Sequence, residues 1–115
     1  MMTGTINRRH ENRVPISLKV YYSFGRIDGF GVLADVSYSG ALIEDTSARP
    51  EIGTRIVLCV YLMSPLGFGE VGPFELACHV VRHSSTGFAI EYEDNHDPDV
   101  RRMLDNAAAI VAGPR

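Results

Sequence analysis

The sequence lacks three things: an excess of positive charge, cysteine in any number, and a long apolar run. Its 115 residues carry a formal net charge of −3, whereas proteins that grip nucleic acid polymers over a broad surface are normally basic. No stretch approaches the ~20 apolar residues of a membrane span, and the first seven residues contain no apolar run of the signal-peptide type. We therefore expect a cytoplasmic protein that neither binds nucleic acid polymers nor inserts into a membrane.

Cysteine and histidine are too sparse and too scattered to suggest a metal site. Cys59 and Cys78 each lie in an apolar, strand-like run, so we expect buried free thiols in a reducing compartment, with a disulfide only if their strands are neighbours. Their spacing does not fit a zinc site. We expect no metal and no resident cofactor.

Motifs typical of enzymes are also missing. No histidine lies in a metalloprotease or nucleophile-elbow pattern; the four are His10, His79, His83 and His96. Gly67 and Gly69 lack the strand, helix and lysine of a phosphate-binding loop. The sequence therefore predicts a protein that is not an enzyme.

What is present favours one small β domain. Apolar residues make up 45% of the chain, and 11 glycines supply many turns. Alternating or continuous apolar runs predict six strands, at about 15–22, 30–36, 41–44, 54–63, 74–83 and 88–93, the fourth apolar on both faces and so buried. We expect a turn from Gly25 to Gly29 and a Gly/Pro-rich connection from Ser64 to Pro73. Short sequential strands indicate an antiparallel barrel.

After the sixth predicted strand, the spacing of apolar residues changes from the two-residue period of a strand to the period of a helix. Asp97-Pro98 is a strong helix start, because aspartate caps a helix and proline suits its first turn. An apolar stripe at helical spacing follows and should pack over the barrel mouth; it comprises Val100, Met103, Leu104, Ala107, Ala108 and Val111.

Two motifs flank the first two predicted strands. Arg9 and Arg13 lie four residues apart, a pattern that arises readily by chance in an arginine-rich chain. The second motif, Asp35-x-Ser37-x-x-Gly40, is much rarer by chance. Taken separately, the arginines are typical of a solvated tail, and the second motif is typical of an Asx-type turn with a turn glycine. Residues 1–13 carry a net charge of +2 and the remainder −5, so a local anion site fits better than a general one.

Taken together and in this order, the motifs resemble those of the PilZ domain family, bacterial receptor modules for cyclic di-GMP. The segment Gly87-Phe-Ala-Ile-Glu-Tyr92 is also similar to a family signature. The resemblance implies a six-stranded antiparallel barrel with a C-terminal helix. We divide the chain into a flexible arm at 1–7 and a PilZ domain at 8–112, with the arginine motif at 8–13, the barrel at 15–93 and the helix at 98–111.

The resemblance also implies a ligand site. Arg9 and Arg13 would serve guanine and phosphate, since an arginine fork matches guanine N7 and O6. Asp35 would accept from guanine N–H groups, Ser37 would donate to the ligand, and Gly40 would allow close approach. An extra arginine in the place of Arg8 is a feature of family members that bind two intercalated ligand molecules.

We expect a receptor that passes the level of this second messenger to a separate effector protein. One alternative is a PilZ-like adaptor that binds protein partners without nucleotide; some family members lack the motifs, and this sequence retains them. A small-barrel RNA binder is a further alternative, which the negative charge and an expected lack of exposed aromatic pairs disfavour.

Overall fold

The structure, a computed structural model, describes residues 13–63 and 70–112. These residues form six β-strands followed by one α-helix: β1 Val14–Phe24, β2 Ile27–Val36, β3 Gly40–Glu44, β4 Arg55–Met63, β5 Glu70–His83, β6 Phe88–Tyr92 and α1 Pro98–Ala112. All neighbouring strands are antiparallel, and they close into a barrel in the order β1-β2-β3-β6-β5-β4. The predicted barrel with a C-terminal helix is confirmed.

The alternation in the sequence decides which side chains fill the barrel. In β1, Val20 and Tyr22 are buried while Lys19 and Tyr21 point outward, because successive strand residues face opposite sides. The inward residues of β5 follow the same rule: Phe74, Leu76, Cys78 and Val80 are all buried. One continuous core results.

Four strand predictions are wrong in extent or burial. β1 and β2 extend to Phe24 and Ile27, leaving a two-residue turn in which Gly25 takes a positive φ of 58° that suits glycine. β5 begins at Glu70 rather than Phe74. β4 is buried on one face only: Tyr61 is exposed and Cys59 half-buried, because a closed barrel has a single interior.

The helix α1 closes one end of the barrel and packs against β1, β4 and β5. Its start is confirmed: the Asp97 carboxylate accepts a hydrogen bond from the Asp99 backbone N–H at 2.9 Å. Val100, Met103, Leu104 and Ala107 are buried as the stripe predicted, but Ala108 is exposed. The Val111 side chain lies outside the described part of the chain.

Candidate functional site

The two motifs meet at the end of the barrel where β1 begins and β2 ends. Pro15 pairs with Asp35 across these strands, which brings Arg13, just before β1, beside the Asp35 carboxylate. Arg13 Nη2 donates to Asp35 Oδ1 at 2.6 Å, and the two side chains are 43% and 24% exposed. A pair this open to water contributes only about 0–1 kcal/mol. The ion pair itself therefore holds these two side chains together only weakly.

Ser37 has a structural role in the described state. Its side chain is fully buried, and its hydroxyl donates to the Gly40 carbonyl at 3.2 Å while accepting from the Gly40 N–H at 3.3 Å. The Ser37 N–H also donates to the Gly40 carbonyl, at 2.8 Å. Ser37 thus holds the turn between β2 and β3 closed. A direct contact from Ser37 to a ligand stays a prediction, and it needs this turn to open.

Gly40 is required by close packing between strands. A Cβ at this position would lie 2.0 Å from the Ile90 carbonyl oxygen, so any larger residue would push β3 away from β6. Tyr92 fastens the same turn from β6: its hydroxyl donates to the Gly40 carbonyl at 3.2 Å, and its N–H donates to the Ser39 carbonyl at 3.0 Å. The predicted role of Gly40 in ligand approach is not tested by this contact.

Tyr38, the exposed residue of this turn, contacts the helix α1. The Arg101 guanidinium of α1 lies 5.3 Å from the centroid of the Tyr38 ring, within cation–π range. Sequence reasoning missed both residues. The one available signal was the helix start at Asp97-Pro98, which places Arg101 near the first turn of α1.

The arginine motif is only partly placed. Arg13 lies at the rim of the barrel, while Arg8 and Arg9 lie outside the described residues. Their predicted roles stay predictions.

The outer face of β1 and β2 carries exposed aromatic side chains, so the expected lack of exposed aromatic pairs is wrong. Tyr21 and Phe30 pair across these strands, and each is 48% exposed. The Lys19 ammonium lies 4.9 Å from the Phe30 ring centroid and 5.7 Å from that of Tyr21. An exposed aromatic pair is therefore present, because both residues fall on the outward register of the barrel wall. The negative charge remains as the argument against an RNA binder.

A cluster of titratable side chains around Glu93 lies away from the two motifs. Glu93 accepts from Arg55 at 2.6 Å and lies 3.3 Å from His79 on the outer barrel wall. Within ranges 13–63 and 70–112, no three histidine, cysteine or acidic side chains cluster as metal ligands would, and no helix there is long and apolar enough to span a membrane.

The two cysteines do not form a disulfide. Cys59 and Cys78 are free thiols on the neighbouring strands β4 and β5, but Cys59 points outward and is half-buried while Cys78 points into the core. The expectation of two buried thiols is therefore right for Cys78 only. Burial raises the pKa of the Cys78 thiol to about 12, and the nearby negative charge of Glu93 adds to the shift.

Comparison with known proteins agrees with the fold. The structure is similar to one described as "Crystal structure of PilZ domain of CeSA from cellulose synthesizing bacterium", with a TM-score of 0.65 at 20% identity, covering 82% of this chain and 95% of that one. Such a likeness supports the fold. No curated protein gave a match. The PilZ domain family matches residues 7–109, and the chain therefore belongs to the PilZ domain family, whose members include receptors for cyclic di-GMP.

Proposed function

We propose that this PilZ domain is a receptor for cyclic di-GMP and has no catalytic activity of its own. The observation that carries the proposal is the Arg13–Asp35 pair at the barrel rim. It places a guanidinium and a carboxylate side by side, with Arg8 and Arg9 a few residues up the chain.

The chemistry of the ligand fits these groups. Guanine N7 and O6 accept from an arginine fork, and its N1–H and N2–H₂ groups donate to a carboxylate. The two phosphodiester anions attract the remaining arginines. On binding, Asp35 would exchange Arg13 for a guanine edge, and the released Arg13 would join the arm in holding the anion. The ligand then bridges the arm and the barrel.

Titration calorimetry with cyclic di-GMP tests the proposal, with GTP and a short RNA as competing candidates. We expect cyclic di-GMP alone to bind. Arg13→Ala should weaken it by about 1–3 kcal/mol, roughly 5- to 150-fold in Kd. Arg26→Ala is the matched control, because this exposed arginine lies in the turn at the far end of β1, about 30 Å away along the strand. Equal affinity for both variants would contradict the site.

The same titration measures the stoichiometry. Two stacked ligands would bring four phosphate charges, and Arg8 can neutralise one and stack on a guanine face. We expect two ligands per chain, falling towards one in Arg8→Ala. One ligand per wild-type chain would exclude this role for Arg8.

A second candidate is an adaptor that binds a protein partner without nucleotide. It is favoured by Ser37, whose hydroxyl is buried and fully engaged inside the turn. Absence of any cyclic di-GMP binding by the wild type would favour this adaptor.

Transmission of the bound state to a separate effector protein is part of our proposal. Exposed aromatic side chains such as Tyr21 and Phe30 are enriched in protein contact surfaces. Exposed aromatic rings also suit base stacking, and the titration with a short RNA tests that alternative.

A further inference from the structure

We propose that Arg101 of α1 is an additional ligand contact, which binds one phosphodiester group of the cyclic dinucleotide, and that Tyr38 positions it. This inference rests on the proposed function and extends its site from the barrel rim to the helix.

The position of Tyr38 places the pair beside the site. Three peptide units separate Tyr38 from Asp35, so their Cα atoms lie no more than about 11 Å apart. Tyr38 is the exposed residue of the turn that Ser37 and Gly40 hold closed. A side chain resting on the Tyr38 ring is thereby held at a fixed position relative to Asp35.

Arg101 is available for an anion. It is exposed, and within the described residues it forms no ion pair; its one described partner is the Tyr38 ring. A guanidinium lying against an aromatic ring keeps its in-plane N–H donors directed outward. These donors match the paired oxygens of a phosphodiester.

The charges at the site indicate why a contact from Arg101 would strengthen ligand binding. Arg13 and Asp35 form an ion pair when no ligand is bound, so a further cation beside them would favour a ligand with two negative charges. Arg101 supplies this further cation from the helix.

The neighbouring Arg102 serves as the internal control. Its guanidinium is already engaged, pairing with Asp99 at 3.0 Å and lying 5.5 Å from the centroid of the Phe74 ring. Arg101 and Arg102 therefore carry the same charge on the same helix turn, but only Arg101 rests on the site turn.

Calorimetric titration with cyclic di-GMP decides the proposal, using Arg101→Ala, Tyr38→Ala, Tyr38→Phe and Arg102→Ala, with the thermal unfolding midpoint of each. We expect roughly 10-fold weaker binding for Arg101→Ala and Tyr38→Ala. Tyr38→Phe, which keeps the ring, and Arg102→Ala should bind like the wild type.

Each other outcome has a definite meaning. Wild-type affinity in Arg101→Ala, with binding still lost in Arg13→Ala, would overturn this inference and leave the proposed function standing. Weaker binding in Tyr38→Phe as well as Tyr38→Ala would refute positioning by the ring. No binding by the wild type would overturn both proposals together.

Discussion

Asp35 connects the two motifs through one ion pair with Arg13. The carboxylate has two separable properties: an acceptor oxygen, which asparagine keeps, and a negative charge, which asparagine lacks. In the proposed site the acceptor oxygen faces guanine, and the charge serves chiefly to hold Arg13 when no ligand is bound.

We therefore expect Asp35→Ala to weaken cyclic di-GMP binding more than Asp35→Asn does. Alanine removes the acceptor oxygen, whereas asparagine keeps it. The loss for alanine should be about 1–3 kcal/mol, measured by titration calorimetry. Equal damage from the two substitutions would show that the charge itself is required.

Gly40 illustrates how a motif residue can be required by packing rather than by chemistry. Because a Cβ would meet the Ile90 carbonyl oxygen at 2.0 Å, we expect Gly40→Ala to lower the free energy of unfolding by about 1–3 kcal/mol. Chemical denaturation measures it.

The control for this substitution is Gly25→Asn. Gly25 has a positive φ, but among the described residues no atom outside its chain neighbours lies within 4 Å of the place that a Cβ would take, and asparagine tolerates that backbone conformation. The substitution should change the free energy of unfolding by less than about 1 kcal/mol. Equal stability of Gly40→Ala and the wild type would refute the packing role.

At the scale of elements, the local alternation of apolar residues predicts where the strands lie. It does not predict how exposed their outer faces are. The alternation in β1 and β5 predicts the inward residues directly, because strand geometry is periodic. The apolar run of β4 looks buried on both sides until the barrel closes and leaves Tyr61 outside.

The candidate site, too, could be predicted from the sequence only in part. Arg13 and Asp35 could be predicted to share a site, because each belongs to a motif at the end of a strand and the order of strands brings those ends together. The burial of Ser37 and the contact between Arg101 and Tyr38 could not be predicted. Both depend on how β6 and α1 pack against the turn, and the spacing of residues along the sequence does not predict that packing.

The helix gives a direct test of its packing. Met103 is fully buried against the barrel, whereas Ala108, on the predicted stripe, is exposed. We expect Met103→Ala to cost about 2–4 kcal/mol of unfolding free energy through the cavity it leaves. Ala108→Ser should change it by less than about 0.5 kcal/mol. A reversed order in chemical denaturation would mean that α1 docks through a different face.

For the molecule as a whole, the closed barrel pairs every described strand on both sides, so none presents an open edge for aggregation. The charge is divided: the first 13 residues are basic and the remainder acidic. We therefore expect an anionic ligand to be attracted to the basic first 13 residues rather than to the acidic remainder, and raised salt should weaken its binding by screening that attraction.

At alkaline pH, the buried thiol of Cys78 should make the stability of the fold depend on pH. Burial raises the pKa of Cys78 from 9.0 to about 12, so the folded state keeps a proton that the unfolded state releases above about pH 9. Stability from this group is complete below about pH 9 and is lost as pH rises towards 12. Between these values the loss approaches ~1.4 kcal/mol per pH unit.

Chemical denaturation at about pH 9.5 and about pH 10.5, both inside this window, measures the slope in the wild type and two variants. Cys78→Ala removes the titrating group and should flatten the slope, although its cavity lowers stability at every pH. Cys59→Ala, a cysteine removed from the outer face of the adjacent strand, should keep the wild-type slope, because it leaves the buried thiol of Cys78 in place. An unchanged slope in Cys78→Ala would show that alkaline loss of stability arises from other groups, whereas a flattened one would assign it to a single proton held in the barrel core.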